Sequence, residues 1–297
     1  MNRQAATSIG FTAVVLWGAL ALFTRWSAGI PPFQLLAMTF CIAALLMLGK
    51  TVAQGGSLLR LLRQPVRAWL LGVGGLFGYH LFYFIALNQA PAVEASLIAY
   101  LWPLLIVCFS VMLLKESAGK ALWLGGLLTL AGCWALLWRP GAGFDLRYLS
   151  GYGAALLCAL IWSLYSVLSR TLATVPSDAV GLYCLGVSAL AALCHSALEV
   201  TVWPLSGGQW LGVIGLGLGP VGIAFFTWDY GVKHGDIQLL GVLSYAAPLI
   251  STLLLIAFGE AEFTLTVLLG CGLIVGGALL ASLGPTLLRK PAPQTQA

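Results

Sequence analysis

The sequence predicts an all-α integral membrane protein of ten transmembrane helices in two inverted five-helix repeats, residues 1–146 and 147–297. The first observation behind this is composition. Hydrophobic residues make up 60% of the 297 and charged residues 8%, against about 25% charged in a soluble domain. Lipid must therefore be the solvent for most of the surface. The second is a set of apolar stretches near the ~20 residues that cross ~30 Å of hydrocarbon as helix. They cover Thr7–Arg25, Phe33–Ala53, Trp69–Leu87, Val93–Leu114, Ala121–Trp138, Gly151–Arg170, Val180–Val202, Trp210–Tyr230, Ile237–Phe258 and Leu265–Leu287. The loops between them are too short for a soluble domain, and the short alternating segments of a β-barrel are absent.

The third observation is that the chain repeats itself 145 residues on. Trp17 and Arg25 recur as Trp162 and Arg170, and Tyr100-Leu101-Trp102-Pro103 recurs as Tyr245-Ala246-Ala247-Pro248. One residue out of step, Glu116, Gly126 and Gly132 recur as Glu260, Gly270 and Gly276. Because five is odd, the second repeat enters the membrane upside down, and Arg25 and Arg170 are expected on opposite faces. An inverted repeat can adopt two unequal conformations whose exchange opens a central site first to one face, then to the other. Duplication that merely enlarges a helix bundle is the plainer alternative.

Charge supports this topology. The net charge is +5, but it is unevenly spread. Arg3, Lys50, Arg60, Arg63, Arg67, Lys115, Lys120, Arg170, Lys233, Arg289 and Lys290 fall on the side of both termini, against Arg25, Arg139 and Arg147 opposite. That bias places both termini in the cytoplasm, and it gives no reason to invoke nucleic acid. The seven cysteines all lie inside spans without CxxC spacing, as small packing residues do. Only Arg3 precedes the first span, which aligns with the sixth, so it reads as a retained helix and not a cleaved signal.

Taken in chain order, the first span carries Trp17 near its middle, the fourth Trp102 and the sixth Trp162. Membrane tryptophans normally gather at the interfaces. At mid-depth an indole N–H needs an acceptor that the helix backbone cannot spare, so a polar or ligand-filled cavity is the expected setting. The third span contributes Tyr79, His80 and Tyr83; His80 and Tyr83, three apart, share a helical face. An ionisable group within a span is costly and often functional. Three roles are open for His80: a contact to cargo, a titrating group, or a neutral hydrogen bonder between helices. In the fourth span Tyr100 precedes Pro103, and in the ninth Tyr245 precedes Pro248. Each proline removes a backbone donor, freeing the carbonyls of Ala99 and Ser244, and kinks its helix where a transport path or gate is expected.

Tyr165 of the sixth span and Trp228 of the eighth complete the candidate substrate-binding set of Trp17, Tyr79, His80, Tyr83, Tyr100, Trp102, Trp162, Tyr165, Trp228 and Tyr245. The repeat relates His80 to Phe225 and Tyr83 to Trp228, so aromaticity is kept while polarity is not. Glu94, Glu199, Asp229, Glu260 and Glu262 are all placed near span ends, which argues against a buried-carboxylate antiporter. No cofactor or metal site is indicated, and Gly215-x-Gly217-x-Gly219 lacks dinucleotide-binding spacing. A membrane-embedded enzyme is disfavoured as well. Ser188 and His195 sit ~10 Å apart along one helix, too far for a nucleophile and its base.

These residues resemble a family. The central Trp with Arg eight residues on in each repeat, the mid-helix Pro103 and Pro248, Lys115-Glu116 and Gly259-Glu260, and the glycine-rich fifth and tenth spans are similar to the drug/metabolite transporter superfamily of EamA type. Within it, the aromatic third and fourth spans most resemble the aromatic amino-acid exporters (YddG type). The resemblance implies export of phenylalanine, tyrosine, tryptophan and other neutral amino acids across a bacterial-type inner membrane. The expected mechanism is facilitative alternating access without a cofactor, and because a fused inverted repeat completes its own two-fold plan a functional monomer is expected. Export of a purine, a thiol or an amphiphilic toxin is the alternative. The chain departs from the small multidrug members, whose first span carries an essential glutamate; no residue of Thr7–Arg25 is acidic.

Overall fold

The computed structural model describes residues 2–138 and 141–287, with side chains through Leu283. Arg139, Arg289 and Lys290, used in the topology argument above, lie outside the described residues. Ten helices among them are long and apolar enough to cross a membrane: Arg3–Trp26, Pro32–Ala53, Val66–Gln89, Ala92–Leu114, Lys120–Leu137, Leu146–Thr171, Ser177–Leu198, Gly207–His234, Ile237–Ala257 and Leu265–Leu283. They are numbered here as the first to tenth spans.

Local chemistry sets where these helices begin. Pro31, Pro65 and Pro91 stand immediately before the second, third and fourth spans, where a missing N–H costs nothing. Ser206 and Gln209 close a capping box on the eighth, and the Asp236 carboxylate accepts from Leu239 N–H at the start of the ninth. Glu199, at the end of the seventh span, accepts from the N–H groups of Phe33 and Gln34 at 2.9 and 3.1 Å. It thus caps a helix that is distant in sequence, and its pairing with His195 at 2.8 Å makes that histidine structural.

Four spans are interrupted within their length. The fourth breaks between Ala99 and Trp102 and the ninth between Leu243 and Ala246, each just ahead of the proline that predicted it. The first span is interrupted at Ala19. The eighth passes through a π-helical segment, Gly217–Ile223, around Pro220, as expected where a proline disturbs the i→i−4 ladder.

The fifth and tenth spans pack along each other through glycine. A Cβ on Gly125 would sit 2.5 Å from the Gly277 carbonyl oxygen and 2.9 Å from the Ala281 backbone nitrogen, so two helix backbones touch directly there. Backbone cannot rotate aside as a side chain can. Gly125→Ala is expected to lower unfolding stability by about 1–3 kcal/mol through overpacking, seen as a lower unfolding temperature in detergent. Gly74→Ala, where nothing lies within 4 Å of the added Cβ, is the control expected to leave stability unchanged.

One sequence-based expectation needs correction. The eighth span continues to His234, a turn beyond Tyr230, so Asp229 is not at a span end. It lies within the helix, 2% exposed, ion-paired at 2.7 Å with Lys233, which was assigned to a loop and is 7% exposed. The pair makes the extension possible, because each charge compensates the other inside the packed bundle.

A central aromatic cavity as the candidate functional site

A cavity of about 570 Å³ occupies the middle of the bundle. Its deepest walls are Trp17 of the first span, Trp102 of the fourth, Trp162 of the sixth and Phe225 of the eighth. From there it follows Leu20, Thr24 and Arg25 along the first span and His80, Tyr83 and Leu87 along the third. These residues run toward the span ends on the side away from the N-terminus, so the cavity opens on that face.

The deep end is closed by rings. Trp17 meets Trp102 and Trp162 edge-on, with centroids 6.1 and 5.6 Å apart, and Trp228 lies 5.1 Å from Trp17 and 5.8 Å from Trp102. These are favourable edge-to-face and tilted geometries for rings with negative faces and positive edges. Such a layer presents faces and edges to a planar solute while excluding water. The Trp17 indole N–H donates to the Pro220 carbonyl at 3.0 Å. The acceptor that its depth demanded therefore comes from the π-helical break in the eighth span, a role that the sequence reading did not assign to Pro220. Pro220 in a span was the available signal.

On the third span, His80 Nδ1 lies 2.7 Å from the carbonyl oxygen of Leu76, one turn back on its own helix. A carbonyl only accepts, so Nδ1 carries a proton and donates it to Leu76. His80 is thereby hydrogen-bonded to its own helix and not, as one expectation had it, to a neighbouring one. Rings of Phe40, Tyr79 and Phe225 surround it within 6.3 Å, edge-on. Tyr83 Oη pairs with Ser96 Oγ at 3.3 Å.

Of the predicted binding residues, Trp17, Tyr79, His80, Tyr83, Tyr100, Trp102 and Trp162 line this cavity. Tyr165, Trp228 and Tyr245 do not; all three are at most 2% exposed and pack on the closed side. The Trp228 indole N–H donates to Ser166 Oγ at 3.0 Å. Subtracting the 145-residue repeat gives their counterparts as Leu20, Tyr83 and Tyr100, and each of these lines the open cavity.

Arginines mark the two ends. On the closed face Arg170 Nη1 donates to the carbonyls of Val232 and Gly235 at 3.1 and 2.9 Å, while its Nε meets Glu116 at 3.1 Å. This ties the C-terminal ends of the sixth and eighth spans to the exit of the fourth. On the open face its counterpart Arg25 lines the cavity and pairs with Glu260, the counterpart of Glu116, at 2.6 Å. Among the described residues Arg25 has no equivalent of the two carbonyl bonds. The side chains of Arg170 and Glu116 are each 24% exposed, whereas those of Arg25 and Glu260 are 58% and 30% exposed.

Ten spans around a solute-sized chamber, open at one face and closed at the other, are the architecture of a membrane transporter. The family model of the EamA-like transporters matches residues 5–138 and again residues 149–283. The chain belongs to the EamA-like transporter family. It is 52% identical to the aromatic amino acid exporter YddG of Ancylobacter novellus, over 95% of this chain and 99% of that protein. Identity to the aromatic amino acid exporter YddG of Escherichia coli is 27%, over 94% and 97%. A solved crystal structure 52% identical in sequence superimposes with a TM-score of 0.93, covering 97% of this chain and all of that one. The family and these relatives are transporters, not enzymes.

Proposed function

We propose that this protein exports aromatic and larger neutral amino acids across a bacterial inner membrane by facilitated alternating access, as a monomer with both termini cytoplasmic. The observation that carries the substrate class is the tryptophan-lined chamber, whose volume of about 570 Å³ and aromatic walls suit a planar side chain. The naming of relatives that match nearly end to end supports the same reading.

Alternating access is supported by the way the repeats differ. Tyr165, Trp228 and Tyr245 are shut away while their repeat counterparts face open space, and Arg170 is fully engaged while Arg25 is not. On this reading the structure is the outward-open state. The inward-open state exchanges the roles: Arg25 donates to the carbonyls of Leu87 and Ala90, the counterparts of Val232 and Gly235, and Arg170 lets go. A fused pair of repeats completes its own two-fold plan, which is the ground for a functional monomer.

The ionisable groups available support facilitated transport. His80 is engaged with its own helix, and the buried Asp229 is ion-paired with Lys233. Purified protein in liposomes is expected to equilibrate labelled phenylalanine, tryptophan and leucine, but not adenosine. An imposed gradient of one pH unit is worth ~1.4 kcal/mol per coupled proton and would give roughly tenfold accumulation if one proton were coupled. The expected accumulation ratio is one, for the wild type and for His80→Gln alike. Accumulation driven by the gradient would refute the facilitative mechanism, and transport of adenosine in place of amino acids would refute the substrate class.

A further inference from the structure

The buried ion pair Asp229–Lys233 lines no part of the outward-open cavity, and it has no counterpart in the first repeat. At the repeat-related positions of the third span stand the half-buried Phe84 and the exposed Asn88, so the matching helix end of the first repeat carries no charge pair. The side chains of Lys233 and Asp229 are 3% and 2% exposed. Desolvating two charges inside a membrane bundle is expensive even when they are paired, and apolar replacements often do as well or better. A pair retained at such a cost, in one repeat only, points to use.

Its position indicates what use. Asp229 follows Trp228, whose ring forms the underside of the tryptophan layer. A pocket of about 10 Å³, lined by Tyr165, Ser169 and Tyr183 as well as the pair, is all the space there while that face is closed; it has room for one water at most. Arg170 grips the same helix end through the carbonyls of Val232 and Gly235, on either side of Lys233. Releasing Arg170 frees this segment and bares the charges beneath the aromatic layer.

We infer that Asp229 and Lys233 are the cytoplasmic-side binding site for the zwitterionic α-ammonium and α-carboxylate groups of the cargo. Lys233 Nζ spends two of its three donors on Asp229 and on the Val175 carbonyl at 3.0 Å, leaving one for a carboxylate. The Asp229 carboxylate has acceptor sites left for an ammonium. A zwitterion inserted between the two replaces their mutual attraction with two new pairings, so no charge is stranded. Its side chain then meets the tryptophan layer from the inner face. The inference rests on the amino-acid reading above.

The test compares phenylalanine with 3-phenylpropionate, which lacks the ammonium, and phenethylamine, which lacks the carboxylate, as competitors of phenylalanine uptake in liposomes with the cytoplasmic face outward. The wild type is expected to prefer phenylalanine over either analogue by about tenfold or more, as bonds to charged groups imply. In Asp229→Asn/Lys233→Met, where no lone buried charge remains, that preference is expected to fall to within about threefold from the cytoplasmic face while persisting from the outer face. A preference kept in the double variant, or lost equally on both faces, overturns the inference. Asp229→Leu/Lys233→Met supplies the same comparison if the first variant does not fold. A wild type that moves no amino acid at all is a different result, for it removes the substrate class and the inference with it.

Discussion

Trp102→Ala is expected to lower the transport efficiency for phenylalanine and tryptophan by roughly 30- to 150-fold while leaving the protein folded. Trp102 meets three other tryptophans, Trp17, Trp162 and Trp228, at centroid distances of 6.1, 6.1 and 5.8 Å. It also lines the chamber. Removing it takes away an apolar wall and at least one ring contact of about 0.5–1.5 kcal/mol to an aromatic cargo. It also enlarges the chamber, so the remaining contacts loosen; a total near 2–3 kcal/mol corresponds to the stated loss. Folding should tolerate the change because the second repeat already has an alanine, Ala247, at the matching position. Trp102→Phe keeps a ring and is expected to recover most of the activity. Initial rates in liposomes, with the unfolding temperature of each variant, check both halves of the statement. Undiminished aromatic transport by Trp102→Ala would remove the tryptophan layer from the binding site.

Much of this was legible in the chain, for identifiable reasons. Span positions follow from hydropathy, because a bilayer forces helix on any segment it immerses. The breaks in the fourth and ninth spans were signalled by Pro103 and Pro248, since a missing donor is a property of the residue itself. Trp17, Trp102 and Trp162 stood out because tryptophan at mid-span contradicts its usual place at the interface. Other features had no such local mark. Tyr165, Trp228 and Tyr245 are aromatic residues at suitable depths, and which half of an inverted repeat is closed decides whether they meet the cavity. Sequence describes both repeats alike and cannot choose between them. Asp229 and Lys233 were misplaced for a related reason: a charge seen near the end of an apolar run reads as a boundary. Their i,i+4 spacing, which puts them on one helical face, was the signal that an internal pair would leave.

Arg170→Ala is expected to move the protein toward the inward-open state by about 2–3 kcal/mol, a ~30- to 150-fold change in the balance of the two conformations. In the structure this guanidinium holds two carbonyls and a carboxylate across the closed face. Charge-assisted bonds to a partly buried group are worth about 1.5–3 kcal/mol each when made; partial exposure and water entering the opened face reduce the sum to the stated value. The readout is a cysteine at Ser166, which is fully buried here and accepts from the Trp228 indole. In a background lacking the native cysteines, labelling of Ser166→Cys by a membrane-impermeant thiol reagent from the cytoplasmic face should rise about tenfold or more when Arg170→Ala is added. Arg25→Ala should do the reverse. In the outward-open state it loses only an exposed contact to Glu260, worth ~0–1 kcal/mol, whereas in the inward-open state it would lose the full set of bonds that Arg170 makes now. The Arg25 variant should therefore rest outward-open, with Ser166→Cys unlabelled and turnover slowed. Equal effects of the two substitutions would mean that the arginines merely stabilise the bundle. Opposite effects, from residues that the repeat makes equivalent, are what an exchange of conformations between inverted halves requires.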